Sequence, residues 1–444
     1  MFIIYSFFSV VVFIFSCWAF NKLSGGLAFS KPNMISYIFY YNVIAQSFVG
    51  AVLIIYGFAE EHYMIGVTTS SAKYHTWVFV LYVMISMPVG MWLSKSLWFN
   101  KVRMSDALNT YTSKPINTSS YGGGALKISV FIFSCISLLS CLYTFYMIGY
   151  IPIRMLFTSE FWYLSLMRIN SSREFGGNAI IRNVFALILA PMMSYAWYAY
   201  FNKTKKMTDF IIYMVMFIAS INILIYDFSK SPVLWYVIGM VFLRFYISGK
   251  LNVSRLVPVI IFVISVVVFF YTLSGFGVTF SYISGPIGRI LLGQISGLPM
   301  MLDIFPNVHD HIGFASMSQA LSELLGHGYV ERSARIAMEY FNPRGVAEGT
   351  AGVMNTLFIG EAWANFGIVG VFISPIWVGF LIQTLYILFL RFDKNPLTLA
   401  FFAYSSVSGA VTGGFNDYVY GASFLIVMML ILSILFIGQT IKKI

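Results

Sequence analysis

Charge is what this sequence has least of. Asp, Glu, Lys and Arg make up 10% of its 444 residues, against about 25% in a soluble domain, while 59% are hydrophobic and 18% aromatic. Mean hydropathy is +0.82. So few charges cannot cover a water-facing surface, which excludes a soluble globular protein and makes lipid the main solvent. Cysteine is scarce too. The three, Cys17, Cys135 and Cys141, all fall in apolar runs, which excludes a loop-stapling disulfide framework and leaves them as small apolar residues. Two nucleotide motifs are missing, GxxxxGK[ST] and a Gly-x-Gly-x-x-Gly after a strand, and this argues against nucleotide-driven work. No repeat or low-complexity tract stands out, and the one soft segment, Ser113 to Gly124, reads as a flexible connector.

What is present is a series of apolar runs long enough, at about 20 residues each, to cross a hydrocarbon core of roughly 30 Å. They lie near 2 to 20, 34 to 58, 76 to 93, 126 to 149, 179 to 201, 210 to 227, 231 to 248, 256 to 275, 366 to 390, 397 to 417 and 422 to 440. These predict an all-α polytopic membrane protein of about eleven spans, one domain over 1 to 444. Met1 to Phe20 has no base before it and no obvious small-residue cleavage site, so it reads as a retained first helix.

The net charge of +11 resembles that of a nucleic-acid binder, but the positions of the bases explain it differently. If Lys442 and Lys443 are cytoplasmic, alternation places loops 21 to 33, 94 to 125, 202 to 209, 249 to 255 and 391 to 396 inside. The amino terminus is then periplasmic. Most of the 27 bases fall on the inner side, opposed there only by Asp106, Asp209 and Asp393, as the positive-inside rule requires. The basicity is topogenic, and no nucleic-acid partner is implied.

Two outer stretches exceed what a hairpin needs, 150 to 178 and 276 to 352, and long ordered loops tend to carry function. Within the second, Met317, Leu321, Leu324 and Leu325, then Ala334, Ala337, Met338 and Phe341, fit two amphipathic helices. Their apolar faces lie either on the membrane surface or on the bundle. Both stretches are expected to roof the active site. The spans keep Asp, Glu, Lys, Arg and His away from their centres, with Arg182, Asp227, Lys230 and Asp417 at outer ends, unlike an ion-coupled transporter.

The outer bases are nearly all arginine: Arg154, Arg168, Arg173, Arg182, Arg289, Arg332, Arg335 and Arg344, with Lys230. Topology signals use Lys and Arg alike, whereas planar recognition of phosphate or carboxylate favours Arg, so an anionic ligand is implied. Arg173 lies near Gly176-Gly177, Arg289 ends Gly285-Pro286-Ile287-Gly288-Arg289, and Arg344 follows Asn342-Pro343; these three are the leading candidates to touch that anion. Arg332 and Arg335 are weaker candidates, because Glu331 and Arg335, spaced i,i+4, can pair with each other. His309-Asp310-His311 invites a metal reading, yet no third ligand has matching spacing, so no metal or other cofactor is assigned. His309, His311 and His327 are instead candidate general bases, since imidazole titrates near neutral pH. Glu361, at the outer start of a span, is a further candidate base; the alternative is an interfacial cap with Trp363 as anchor.

Met147-Ile148-Gly149-Tyr150-Ile151-Pro152-Ile153, then Arg173 with Gly176-Gly177, and Gly360-Glu361-Ala362-Trp363-Ala364-Asn365-Phe366-Gly367-Ile368-Val369-Gly370 resemble the Wzy-type O-antigen or polysaccharide repeat-unit polymerases. Phe228-Ser229-Lys230-Ser231-Pro232 at an outer helix end fits the same plan. The resemblance implies a GT-C-like glycosyltransferase of the bacterial inner membrane that joins undecaprenyl-diphosphate-linked oligosaccharides at the periplasmic face, in lipopolysaccharide biosynthesis. It also implies a lipid-linked donor and acceptor and a chain-length-regulating protein as partners. The family's periplasmic arginines map onto Arg173, Arg289 and Arg344. O-antigen ligases share the architecture and are the nearest rival; a lipid-linked oligosaccharide flippase would need a polar cavity through the bundle and little outside it.

Overall fold

The computed structural model describes residues 2–158, 167, 171, 174–229, 231–252, 254, 257–258, 261, 264–265, 268, 281–326, 328–348, 354–409 and 411–443. Among them no strand occurs, and nine helices are long and apolar enough to cross a membrane. They are α1 (Phe2–Ser24), α2 (Met34–Ile55), α3 (Ser70–Trp98), α4 (Gly124–Ile148), α5 (Ile181–Thr204), α6 (Met207–Leu224), α7 (Ser231–Ser248), α8 (Leu357–Arg391) and α9 (Asn416–Lys442). The protein is an all-helical polytopic membrane protein. Helix is the form such a chain must take, because lipid offers no partner to a free N–H or C=O.

One expected span differs and another is not described. The run 256 to 275 falls mostly outside the described residues. The run 397 to 417 is not one helix: Pro396–Ser408 is helical and 409, 411 to 415 are not. Composition explains the stop, since Gly409, Gly413 and Gly414 follow and each weakens helix by about 1 kcal/mol relative to Ala. Asn395 starts the short helix with a capping box shared with Thr398, and Pro396 takes the first helical position.

The core lies around residues 189 to 200 of α5 and Pro396–Ser408, both buried on nearly every face. Tyr246 of α7 stacks on Phe402 with ring centroids 3.9 Å apart, and Trp197 of α5 donates its Nε1–H to Ser134 Oγ of α4 at 2.8 Å. α1 has the opposite character: Ile3, Phe7, Ile14 and Trp18 are all exposed, as a lipid-facing helix requires. α3 and α8 approach one another closely. A Cβ on Gly90 would overlap the Ile376 carbonyl oxygen, and one on Gly379 would overlap that of Met87. Small residues are what let two backbones approach in lipid, where van der Waals packing replaces the hydrophobic effect between helices.

The basic loops meet at one end. Lys31 Nζ donates to Asn109 Oδ1, Leu251 N to Ser30 O, Asn117 N to Lys394 O, Arg244 to Asn202, Lys127 to Asp209 and Arg391 to the Trp98 carbonyl. Lys394 is 2% exposed there; its Nζ donates to the carbonyls of Thr112, Lys114 and Ile247 at 2.8, 2.7 and 3.3 Å. Burial lowers its pKa to about 8. At the opposite end, Asp303 accepts from Thr69 N and Oγ1 at 2.8 and 2.5 Å, tying the long segment before α8 to the start of α3.

That segment has its own apolar core, as its length implied. Met300, Met301, Ile304 and Phe305 pack with Ile336, Ala337 and Ala364. Helices Gln319–Leu324 and Ser333–Phe341 occupy the region expected to hold two amphipathic helices. The second turns its apolar face to the protein, with Ala337 fully buried, whereas Leu324 at the end of the first is 83% exposed.

Candidate functional site

α8 begins with a separate short helical piece. At Gly367 the backbone takes φ 59°, ψ −141°, a region closed to residues with a Cβ, so Leu357 to Phe366 is set apart from the membrane-crossing remainder. The break would leave the Ala364 and Asn365 carbonyls without their helical donors. The loop supplies replacements: Ile312 N donates to Ala364 O at 3.1 Å and Gly313 N to Asn365 O at 2.8 Å.

Glu361 sits on this short piece, 2% exposed. Its Oε1 accepts from Arg332 Nε at 2.7 Å and its Oε2 from Arg332 Nη2 at 2.8 Å, a two-pronged pairing that fixes the guanidinium plane. Oε2 also accepts from the Asn416 backbone N–H at 2.8 Å. Arg332 Nη1 donates to Asp417 Oδ1 at 3.0 Å, and that carboxylate is about half exposed. Burial on its own would lower the Arg332 pKa, but Glu361 first and Asp417 second more than reverse this, so the guanidinium titrates above its ordinary range.

A ring of amides surrounds the pair. Asn416 Nδ2 donates to Ser316 O at 3.0 Å, Asn365 Nδ2 to Asn416 Oδ1 at 3.0 Å, and Ser316 Oγ to Asn365 Oδ1 at 3.1 Å. Gly414 closes the site from the side; a Cβ there would overlap both Arg332 Nη2 and Glu361 Oε2. Phe358 N donates to Val411 O at 3.0 Å, holding the non-helical stretch before Asn416 against α8.

Trp363 and His311 stand beside this network. Trp363 Nε1–H donates to Phe305 O at 2.9 Å, and its ring meets His311 edge-on at 5.4 Å. His311 Nδ1 lies 3.4 Å from Ala364 O, and its ring covers Gly367, where a Cβ would fall 3.0 Å from Nε2.

The other expected site residues are placed differently. His309 is exposed, with its ring 5.9 Å from Phe305, away from the Glu361 network. Arg289 is exposed in the last turn of Gly285–Leu291. Arg344 pairs with Glu348 at 2.8 Å, an exposed i,i+4 contact. Arg335 does not pair with Glu331; its partner is Glu339 at 2.9 Å. The helix starts only after its N-cap Arg332, so Glu331 lies outside it while Glu339 is one turn ahead. Arg173, Lys230 and His327 lie outside the described residues.

Sequence reasoning missed Ser316, Gly414 and Asn416, and treated Asp417 only as an outer-end charge. The available signal was Gly413-Gly414-Phe415-Asn416-Asp417, a polar, glycine-bearing gap between two apolar runs. Compared with protein-family models, curated proteins and solved structures, the chain matches none.

Proposed function

We propose that this chain is a membrane glycosyltransferase that polymerises oligosaccharide repeat units carried on undecaprenyl diphosphate, at the periplasmic face of a bacterial inner membrane. The observation that carries the reading is the fixed guanidinium of Arg332. Of its five N–H donors, three are engaged by Glu361 and Asp417, leaving one on each terminal nitrogen for a ligand. Glu361 is buried and holds the group in place; the half-exposed Asp417 is the partner a diphosphate replaces.

In the transfer, the acceptor hydroxyl oxygen bonds to the donor's anomeric carbon as the bond from that carbon to the diphosphate oxygen breaks. The hydroxyl proton passes to a base, and undecaprenyl diphosphate leaves with the bonding pair. Charge grows on the leaving oxygen, so a guanidinium already oriented there stabilises the transition state more than the ground state. Both oxygens of Glu361 are occupied, which suits a positioning role for it; His311, held against the same short helix, is the better-placed base. Arg289 adds positive potential in the loop segment, while Arg335 and Arg344 are offset by Glu339 and Glu348.

The orientation follows the positive-inside rule: the end gathered by Lys394 faces the cytoplasm, and Glu361, the amino terminus and the long loops face the periplasm.

The test compares surface glycolipids, on a gel resolving single repeat units, from cells lacking the chain and from the same cells given Arg332→Met. Core bearing one repeat unit and no ladder is expected in both. Polymer accumulating on undecaprenyl diphosphate beside bare core would make the chain a ligase, and an unchanged ladder in Arg332→Met would remove Arg332 from the reaction.

A further inference from the structure

A cavity of about 830 Å³ opens between α1 and α3 at the basic end of the bundle, away from Arg332. The two helices run parallel: Trp77 Nε1 donates to Ser9 Oγ at 3.0 Å near their starts, and Lys22 and Lys95 reach the same cavity near their ends. Each contributes a ladder on one face. On α1 it is Phe15, Trp18 and Lys22; on α3 it is Pro88, Trp92 and Lys95, so in both an apolar residue, a tryptophan and a lysine follow one another toward the loop.

Arg103, from the connection after α3, joins the two lysines at the polar mouth. Three cations therefore share one opening, no described residue lining it is acidic, and none of the three has an ion pair among the described residues. Asp106, the nearest acid in sequence, is exposed on the following helix and accepts from Ser105 Oγ at 3.2 Å. Deeper in, Trp18 and Trp92 are 60% and 58% exposed, continuous with the lipid-facing side of α1.

We infer that this groove binds an anionic phospholipid, with an acyl chain between Trp18 and Trp92 and the phosphate among Lys22, Lys95 and Arg103. A soluble anion would leave the aromatic part of the groove empty, and a neutral lipid would leave three gathered cations uncompensated. Only a ligand with a tail at membrane depth and a negative head at the boundary satisfies both halves. The inference stands whether or not the chain transfers sugars.

The test uses the full chain in detergent micelles and reads quenching of tryptophan fluorescence by dibrominated phosphatidylglycerol against dibrominated phosphatidylcholine. A preference for phosphatidylglycerol is expected, falling about fivefold for each cation removed in the series Lys22→Gln, Lys95→Gln, Arg103→Gln. The exposed lysines Lys203, Lys205 and Lys206, changed together to Gln, remove the same charge at the same end and should leave the preference intact. Should the triple groove variant not fold, Arg103→Glu alone, in an exposed position, must still weaken the preference. Equal loss in the control variant would mean general attraction to a basic surface and overturn the site. So would reversal of the preference by millimolar glycerol phosphate, which would mean a soluble phosphate is the ligand, and so would equal quenching by the two lipids in the unaltered chain.

Discussion

Arg332 and Glu361, 29 residues apart in sequence, meet through two hydrogen bonds of 2.7 and 2.8 Å on a carboxylate that is almost fully buried. Removing one partner of such a pair strands the other. Arg332→Met is therefore expected to cost about 3 kcal/mol, read as a lower unfolding midpoint in detergent, because the buried Glu361 carboxyl loses both bonds from the guanidinium and keeps only that from Asn416 N. The double variant Arg332→Met/Glu361→Met should recover most of that stability and none of the chain extension. If the double variant is no more stable than the single, the pair is not what holds this end together.

Gly414→Ala separates positioning from folding. Its methyl group collides with Arg332 Nη2 and Glu361 Oε2, so the guanidinium must shift although no charge is altered. Polymer length should collapse, while Gly328→Ala, at a position with open space around it, keeps the ladder. A normal ladder in Gly414→Ala would show that the placement of Arg332 is not critical.

The apolar runs made most of the fold legible in the sequence, because a crossing helix must be continuous and about 20 residues long. The site was less legible for a physical reason. Helix periodicity relates residues three or four apart, so it offered Glu331 to Arg335 and could not relate Arg332 to Glu361 or Asp417. The reading of 397 to 417 as one span also concealed Gly414 and Asn416 inside an apolar average. The two histidines were not separable in sequence: both are exposed and only their ring neighbours differ, Trp363 for His311 and Phe305 for His309.

Gly367→Ala tests the break in α8. The residue sits at φ 59°, ψ −141°, and its new methyl group would press on the His311 ring. A cost of about 1 to 3 kcal/mol is expected from the backbone alone. Differential hydrogen exchange should then show the amides of Ile312 and Gly313 losing protection, since they bond to the carbonyls that the break frees.

Lys394 gives the basic end a pH dependence. Its pKa is lowered to about 8 in the folded chain, against about 10.4 when unfolded. Between those values the unfolded state binds more protons, so stability rises with pH across that window and the penalty is complete below pH 8. Unfolding midpoints measured from pH 7.5 to 10.5 should climb in the unaltered chain and flatten in Lys394→Met. A fall in the unaltered chain across the same range would reverse the assignment.

The network at Arg332 also has a timetable. Asp417 leaves the ribosome 85 residues after Arg332, and Asn416 and Gly414 come with it. Until then Glu361 has no donor from Asn416, and Ser316 and Asn365, already bonded to each other, lack the Asn416 amide that bonds to both. The site is thus locked only once the segment around Asp417 has been added and packed against α8.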